Sequence, residues 1–477
     1  MSRLFALFAM AALLAAGAAG AGPLPPAVQQ ELARARVPAQ ALAVVLQDAN
    51  DGRVLLAWQE DRAMNPASLA KLVTTYAALD RFGPAWTWRT QVWLQGPVRA
   101  GRLDGDLVIR GSGDPTLVLE RVWLLLRELR QAGVDAIDGD IVLDNSAFAV
   151  PAADPGEFDG EPLRPYNVLP DALMLNYKSL IVRFTPDEGQ RQARVDVTPA
   201  LAGAAAQAPL PLAAGPCGDW RAALKLAVDG DGRIRFGGAY PAACGERSWP
   251  LADPRPDSYN GRLLAGMWQE MGGRLAGRVR AGRARVDVAP SFEVESPPLA
   301  QVVRDINKFS NNTMARQLFY TLAAPTAEPW PPATPEAART RLLDWLASIG
   351  MPATPTVQID NGAGLSRQTR LSARQLAHLL QHAWRSPVMP EFVASLPVTA
   401  TDGTLKRWRG GAGRGHLKTG SLRDSAGVAG YLLSQGGRRL ILVALVNDEQ
   451  ANAARPALDA LIQWAVDDAP GSERSPR

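Results

Sequence analysis

The stretch Asn65-Pro66-Ala67-Ser68-Leu69-Ala70-Lys71-Leu72 decides how the chain reads. Asn65 suits a helix N-cap, and Pro66 suits the first helical position, where its missing N–H has no intrahelical partner to lose. Leu69, Leu72, Val73 and Tyr76 follow at helical spacing, so the spacing predicts a helix with one stripe on a core. Ser68 and Lys71 lie three residues apart and neighbour each other on one face. That pairs a hydroxyl with an amine able to take its proton, and a serine needs such a base to become a good nucleophile. The positive end of the helix dipole also favours a developing alkoxide. Ser-x-x-Lys alone recurs by chance as two solvated residues, so its meaning depends on the rest of the chain.

Working outward, the 477 residues are 47% hydrophobic and 21% charged, which leaves room for two or three packed domains and excludes wholesale disorder. The formal net charge of +4 is spread without a Lys/Arg block, which excludes a nucleic-acid footprint. Residues 1–21 combine Arg3, an apolar run from Leu4 to Ala16 and the small-residue site Ala19-Gly20-Ala21. They read as a secretory signal peptide cleaved near Ala21, giving an exported mature chain with no transmembrane segment. Two cysteines, Cys217 and Cys244, sit in Gly/Pro-rich surroundings, and an even pair in an exported protein reads as a disulfide. No histidine lies near either, which argues against a metal. His378 and His382 are four apart on a predicted helix, but no Glu follows His378, so they read as an ordinary helix face. The third histidine, His416, is beside Lys418. Neither a metal, a cofactor nor a His-dependent triad is expected.

In chain order, a short helix over 28–36 precedes two apolar strands, 41–47 and 53–58, joined by the turn-forming run Asp48-Ala49-Asn50-Asp51-Gly52. The Ser68 helix follows and ends near Gly83-Pro84. From about residue 88 the texture becomes short strands and Gly/Asp/Pro-rich loops, interrupted by one helix over 118–132. This region, 88–288, reads as one or more inserted β-rich domains between a first catalytic part, 22–87, and a second, 289–467. A helix over 299–307 is broken by Phe309-Ser310-Asn311-Asn312, because Ser and Asn compete for backbone hydrogen bonds, and resumes over 314–322. Helices over 335–349 and 372–384 flank the Gly-rich turn Asp360-Asn361-Gly362-Ala363-Gly364. Gly415-His416-Leu417-Lys418-Thr419-Gly420-Ser421 opens a strand series, with a hairpin signal at Gln435-Gly436-Gly437. A helix over 451–466 and a polar tail, 468–477, complete the chain.

Ser68-Leu69-Ala70-Lys71, Ser310-Asn311-Asn312 and Lys418-Thr419-Gly420 now stand together. The first opens a helix, the second lies at a helix break and the third lies on a strand. This motif set is that of penicillin-binding proteins and class A β-lactamases. From Ser68 to Ser310 is 242 residues, far more than a β-lactamase needs. With this long insertion the chain resembles, over its whole mature length, the class C low-molecular-mass penicillin-binding proteins. These are the D-alanyl-D-alanine carboxypeptidase/endopeptidase family, of the penicillin-binding protein 4 type. Gly111-Ser112-Gly113-Asp114-Pro115-Thr116-Leu117 and Asn361-Gly362-Ala363-Gly364-Leu365-Ser366-Arg367 share in the resemblance. The second departs slightly, since the family often has Asp-Gly-Ser-Gly there, and it reads as architectural.

The resemblance implies an α/β (α+β) fold, a transpeptidase-like α/β/α sandwich with an antiparallel sheet built from both ends of the chain. It implies a periplasmic serine hydrolase that cleaves peptidoglycan stem peptides or cross-links and is inhibited by β-lactam antibiotics. Ser68 would be acylated and Lys71 would take its proton. A lysine must lose about 3 pKa units to do so near neutrality, which burial or a nearby cation brings about. Ser310 would relay a proton to the leaving amine. Asn312 would hold the substrate backbone. Lys418 and Thr419 of the Lys-Thr-Gly triplet, closed by Gly420, would meet the substrate carboxylate. Backbone N–H groups of Ser68 and Ser421 would form the oxyanion hole. The alternatives are a β-lactamase or esterase on the same fold and a catalytically silent wall-binding homologue.

Overall fold

The computed structural model describes residues 22–324 and 331–467. The expected signal peptide and polar tail lie outside the described residues. Two compact units emerge: residues 22–84, 303–310 and 339–467 form one, and residues 85–302, 311–324 and 331–338 the other.

The first unit is built on a five-stranded sheet in the order Gly415–Leu422, Ser425–Leu433, Arg439–Asn447, Leu42–Asp48, Val54–Trp58. Every neighbouring pair is antiparallel. Leu42–Asp48 pairs along its whole length with Arg439–Asn447, so an N-terminal hairpin and a C-terminal meander close one sheet. The central strands are apolar runs without alternation because both faces are covered. On one face Val44, Leu46, Leu442, Ala444 and Val446 pack with Val28 and Leu32 of helix Pro26–Arg34 and with Leu458, Leu461 and Ile462 of helix Arg455–Val466. On the other, Gln47 Nε2 donates to Gln381 Oε1 at 2.8 Å and the Tyr431 hydroxyl donates to the Leu380 carbonyl at 2.8 Å, both from helix Ala373–Trp384. This is the expected α/β/α sandwich.

The Ser68 element departs from its sequence reading in two ways. The α-helix runs Ala70–Phe82, and Ser68 sits ahead of it in a 3-10 turn, Ala67–Leu69. The helix is also buried at every residue from Ala70 to Leu79 rather than along one stripe. It is a central helix, and its polar residues find partners: Thr74 Oγ1 donates to the Gly362 carbonyl and Thr75 Oγ1 to that of Lys71, each at 2.7 Å. It stops at Gly83, whose φ of +80° favours glycine.

The second unit carries two larger sheets. One orders Val279–Ala281, Ile141–Asp144, Asp106–Arg110, Arg89–Gln95 and Phe292–Glu295. The other orders Tyr240–Pro241, Leu210–Ala213, Gln192–Thr198, Ser179–Asp187 and Arg247–Ala252. Helix Leu119–Gln131 falls where its pattern predicts, burying Val122, Leu125, Leu126 and Leu129. Helix Pro256–Glu270 was not foreseen; Asp257, Ser258, Asn260, Gly261 and Gly266 give it turn-like composition, yet Gly266 is there because a Cβ would lie 2.6 Å from the Ala200 carbonyl oxygen. Cys217 and Cys244 form a disulfide, beside an aromatic cluster in which Phe184 contacts Trp220, Phe236 and Tyr240. Among the described residues no helix is long and apolar enough to cross a membrane.

Candidate active site

Asn65 is not the helix N-cap that the sequence suggests: Pro66 precedes the 3-10 turn and Leu69 the α-helix, and neither end has a side-chain cap. Asn65 instead shapes the turn ahead of them, its Oδ1 accepting from the Ala67 N–H at 2.9 Å while its Nδ2 donates to the Ser366 carbonyl at 2.9 Å. Asn447, at the end of a sheet strand, holds the Asn65 backbone from both sides, accepting its N–H at 2.7 Å and donating to its carbonyl at 3.0 Å. Between these anchors Ala67 is forced to φ +48°, a left-handed conformation unusual for a residue with a Cβ. The turn so formed leaves Ser68 half-exposed, one turn ahead of Lys71.

Lys71 is wholly buried, and its Nζ donates to Ser68 Oγ at 3.0 Å and to the Ala363 carbonyl at 2.5 Å. The Asn361–Gly364 segment, read from sequence as architectural, therefore touches the amine directly. It fits only as glycine at 364, where φ is +77° and a Cβ would lie 1.9 Å from the Ala67 carbonyl oxygen.

The second pair repeats this arrangement. Lys418 is wholly buried, and its Nζ donates to Ser310 Oγ at 2.9 Å and to the Thr419 carbonyl at 2.7 Å. Burial draws its pKa down from 10.5 to about 7. Ser310 is a second left-handed non-glycine residue, at φ +56°, and it ends helix Leu299–Phe309. That helix end is pinned. Lys308 pairs with Asp402 at 2.6 Å, and Asn307 Nδ2 donates to Ser395 Oγ at 2.9 Å and Thr75 Oγ1 at 3.2 Å. Burial of Asp402 opposes its charge, but the Lys308 ammonium and the Val398 N–H hold its carboxyl below the usual range. Asn311 caps the next helix, its Oδ1 accepting from Met314 N–H at 3.0 Å, and Asn312 opens that helix in the second unit.

The Lys418 strand lies at the sheet edge. Its Leu417 N–H donates outward to the Pro397 carbonyl at 2.9 Å, and period-two alternation puts the Thr419 and Ser421 N–H groups on the same outer edge. The strand approaches the Ser68 turn so closely that a Cβ on Gly420 would lie 2.7 Å from the Pro66 carbonyl oxygen and 3.3 Å from the Ala67 Cβ. The third residue of Lys-Thr-Gly is thus a spacing requirement.

Ser68, Ser310, Thr419, Gly420 and Ser421 line one cavity of about 230 Å³, together with Thr404, Trp408, Ala426, Gly427, Arg455 and Leu458. Thr404, Trp408 and Arg455 carried no signal in the sequence, because each is remote from the motifs. Thr404 Oγ1 hydrogen-bonds Thr419 Oγ1 at 2.7 Å. His416 is half-buried with its imidazole pushed down, chiefly by burial, and does not line the cavity. His378 contacts the Ile349 carbonyl and His382 the Tyr76 hydroxyl. Among the described residues no His/Cys/Asp/Glu cluster could hold a metal ion.

The D-Ala-D-Ala carboxypeptidase 3 (S13) family matches residues 24–467. The chain is 28% identical over 466 residues to a D-alanyl-D-alanine carboxypeptidase of Actinomadura sp. (strain R39), covering 91% of this chain and 83% of that one. It is 22% identical over 420 residues to the D-alanyl-D-alanine carboxypeptidase DacB of Haemophilus influenzae, covering 84% of each. Among solved structures, penicillin binding protein 4 (dacB) of Haemophilus influenzae superposes with a TM-score of 0.76 at 20% identity, over 92% of this chain and 99% of that one. The Bd3459 predatory endopeptidase of Bdellovibrio bacteriovorus superposes with a TM-score of 0.53 at 15% identity, over 91% and 94%. The match along nearly the whole described chain is the finding that identifies it: the chain belongs to the D-Ala-D-Ala carboxypeptidase 3 (S13) family and is a hydrolase.

Proposed function

We propose that the chain is a serine-type D-Ala-D-Ala carboxypeptidase/endopeptidase of the periplasm, exported by residues 1–21, that cleaves peptidoglycan stem peptides through an acyl-enzyme on Ser68. The observation that carries this is the pairing of two serines on one cavity with two buried lysines, Lys71 3.0 Å from Ser68 Oγ and Lys418 2.9 Å from Ser310 Oγ. Ser68 Oγ attacks the carbonyl between the two D-residues as Lys71 takes its proton. The oxyanion forms against the Ser68 N–H and the outward Ser421 N–H. Ser310, oriented by Lys418, passes a proton to the leaving amine as the C–N bond breaks. Asn312 holds the substrate backbone. Water then adds to the ester, the C–Oγ bond breaks, and Ser68 recovers its proton. Carboxypeptidase and endopeptidase cleavage share this acylation and differ only in what the leaving amine is attached to.

A β-lactam enters the same scheme as an acylating substrate. The Haemophilus influenzae protein has been crystallised with a β-lactam, and Bd3459 acylated by penicillin G. Treating the purified chain with benzylpenicillin should place one adduct on the peptide containing Ser68, read by mass spectrometry. An adduct elsewhere, or an equal yield on Ser68→Ala, refutes the assignment. Rapid loss of the adduct with penicillin turnover would favour the β-lactamase alternative.

A further inference from the structure

A peptide ending in D-Ala-D-Ala carries a carboxylate one residue beyond the bond to be cut, and a cation on the leaving-group side would bind it by charge-assisted hydrogen bonds. This expectation rests on the proposed function above. Neither buried lysine is placed to do so. Lys71 and Lys418 are both 0% exposed, neither lines the cavity, and Lys418 turns its ammonium to Ser310 and the Thr419 carbonyl. The one charged residue among those that line the cavity is Arg455.

Arg455 opens helix Arg455–Val466 and is exposed. Its Nη2 donates to Ser421 Oγ at 3.2 Å and Asn452 Oδ1 at 3.3 Å. Asn452 is itself fixed, its Nδ2 donating to the Leu422 carbonyl at 2.7 Å and its Oδ1 accepting from Ser421 Oγ at 2.7 Å. The guanidinium is therefore oriented by neutral oxygens only. Among the described residues it makes no ion pair with a carboxylate. A planar fork with donors to spare, held beside a strand hydroxyl in the catalytic cavity, suits bidentate capture of a carboxylate. A lysine would offer a point charge without that geometry.

We infer that Arg455 is a specificity-determining residue that binds the free α-carboxylate of the leaving D-residue, with the Ser421 and Thr419 hydroxyls beside it. The enzyme then selects stem peptides whose terminal or cross-linked D-centre carries a free carboxylate over those in which that carboxyl is amidated.

The test compares two peptides ending in D-Ala-D-Ala, one a free carboxylate and one a C-terminal carboxamide, on wild type, Arg455→Gln and Arg455→Lys. Arg455→Gln should lower kcat/KM about tenfold to a hundredfold on the carboxylate peptide, mainly through KM. On the carboxamide it should change kcat/KM by less than about threefold, which also reports that the variant is folded. Arg455→Lys should recover part of the loss on the carboxylate peptide alone. Equal losses on both peptides, or an undiminished preference for the carboxylate in Arg455→Gln, overturns the inference while leaving the hydrolase reading intact. A wild type that cleaves neither peptide and takes no penicillin on Ser68 refutes the hydrolase reading and this one with it.

Discussion

Removing the Lys418 ammonium should change how stability depends on pH, with a sign that follows from its burial. Lys418 is 0% exposed and has its pKa drawn down from 10.5 to about 7. Below pH 7 folded and unfolded chains both hold the proton, so this group contributes no pH dependence and the cost of burying its charge is fully present. Between about pH 7 and 10.5 the unfolded chain keeps the proton and the folded chain releases it. Stability then climbs with pH by about 1.4 kcal/mol per unit. From pH 7 to 9 the gain is on the order of 2–3 kcal/mol. Lys418→Met keeps most of the side-chain volume and lacks the titration, so other groups cancel between the two proteins. Urea unfolding followed by tryptophan fluorescence at pH 6, 7, 8 and 9 should show the wild-type-minus-variant free energy flat up to 7 and rising above it. The transition of the first unit, which contains Lys418, is the one to use where the two units unfold separately. A difference that stays constant from pH 6 to 9 refutes the buried, weakly basic lysine.

Gly420→Ala places a methyl group 2.7 Å from the Pro66 carbonyl oxygen, so the strand and the Ser68 turn must separate. It should cost about 1–3 kcal/mol in a thermal melt and slow penicillin acylation of Ser68, and wild-type acylation would show that their close approach is not needed. Reducing the Cys217–Cys244 bridge, which closes a separation of 27 residues, should lower stability by about 3–4 kcal/mol in the second unit. Ser68 lies in the first unit, so penicillin should still acylate it after that reduction; loss of acylation would refute this expectation.

Much of the site was legible because its chemistry is written in short spacings. Ser68 and Lys71 are three residues apart, and the structure brings their side chains to 3.0 Å. Ser310 and Lys418 are 108 residues apart, and only the shared motif set connected them before the 2.9 Å contact did. The sheet was legible for a different reason. Its central strands are buried on both faces, so they read as unbroken apolar runs, and the turn signals between them stand out by contrast. The disulfide followed from counting two cysteines. Helix Pro256–Glu270 failed the same kind of reading because its glycines answer to neighbours from elsewhere in the chain, such as the Ala200 carbonyl against Gly266, and pattern rules see only the local sequence.

What stayed hidden is the part of the site made by tertiary approach. Nothing in Asn361-Gly362-Ala363-Gly364 announces that the Ala363 carbonyl will accept from Lys71, because a backbone oxygen has no residue identity to read. The left-handed backbones of Ala67 and Ser310 are equally silent, since neither residue type favours φ above zero. Both are imposed from outside. Asn447 and Ser366 fix the chain just ahead of Ala67, and the Lys308–Asp402 and Asn307–Ser395 contacts fix the helix end just ahead of Ser310. Ser68 and Ser310 therefore each sit next to, or at, a left-handed residue held by anchors from the C-terminal part of the chain. That is a physical reason for the sheet to be closed by both termini. The Ser68 turn comes from the N-terminal part, while Asn447, Ser366 and Asp402, which hold the Ser68 and Ser310 turns in place, come from the C-terminal part, so the conformation of each turn depends on contacts from the C-terminal part.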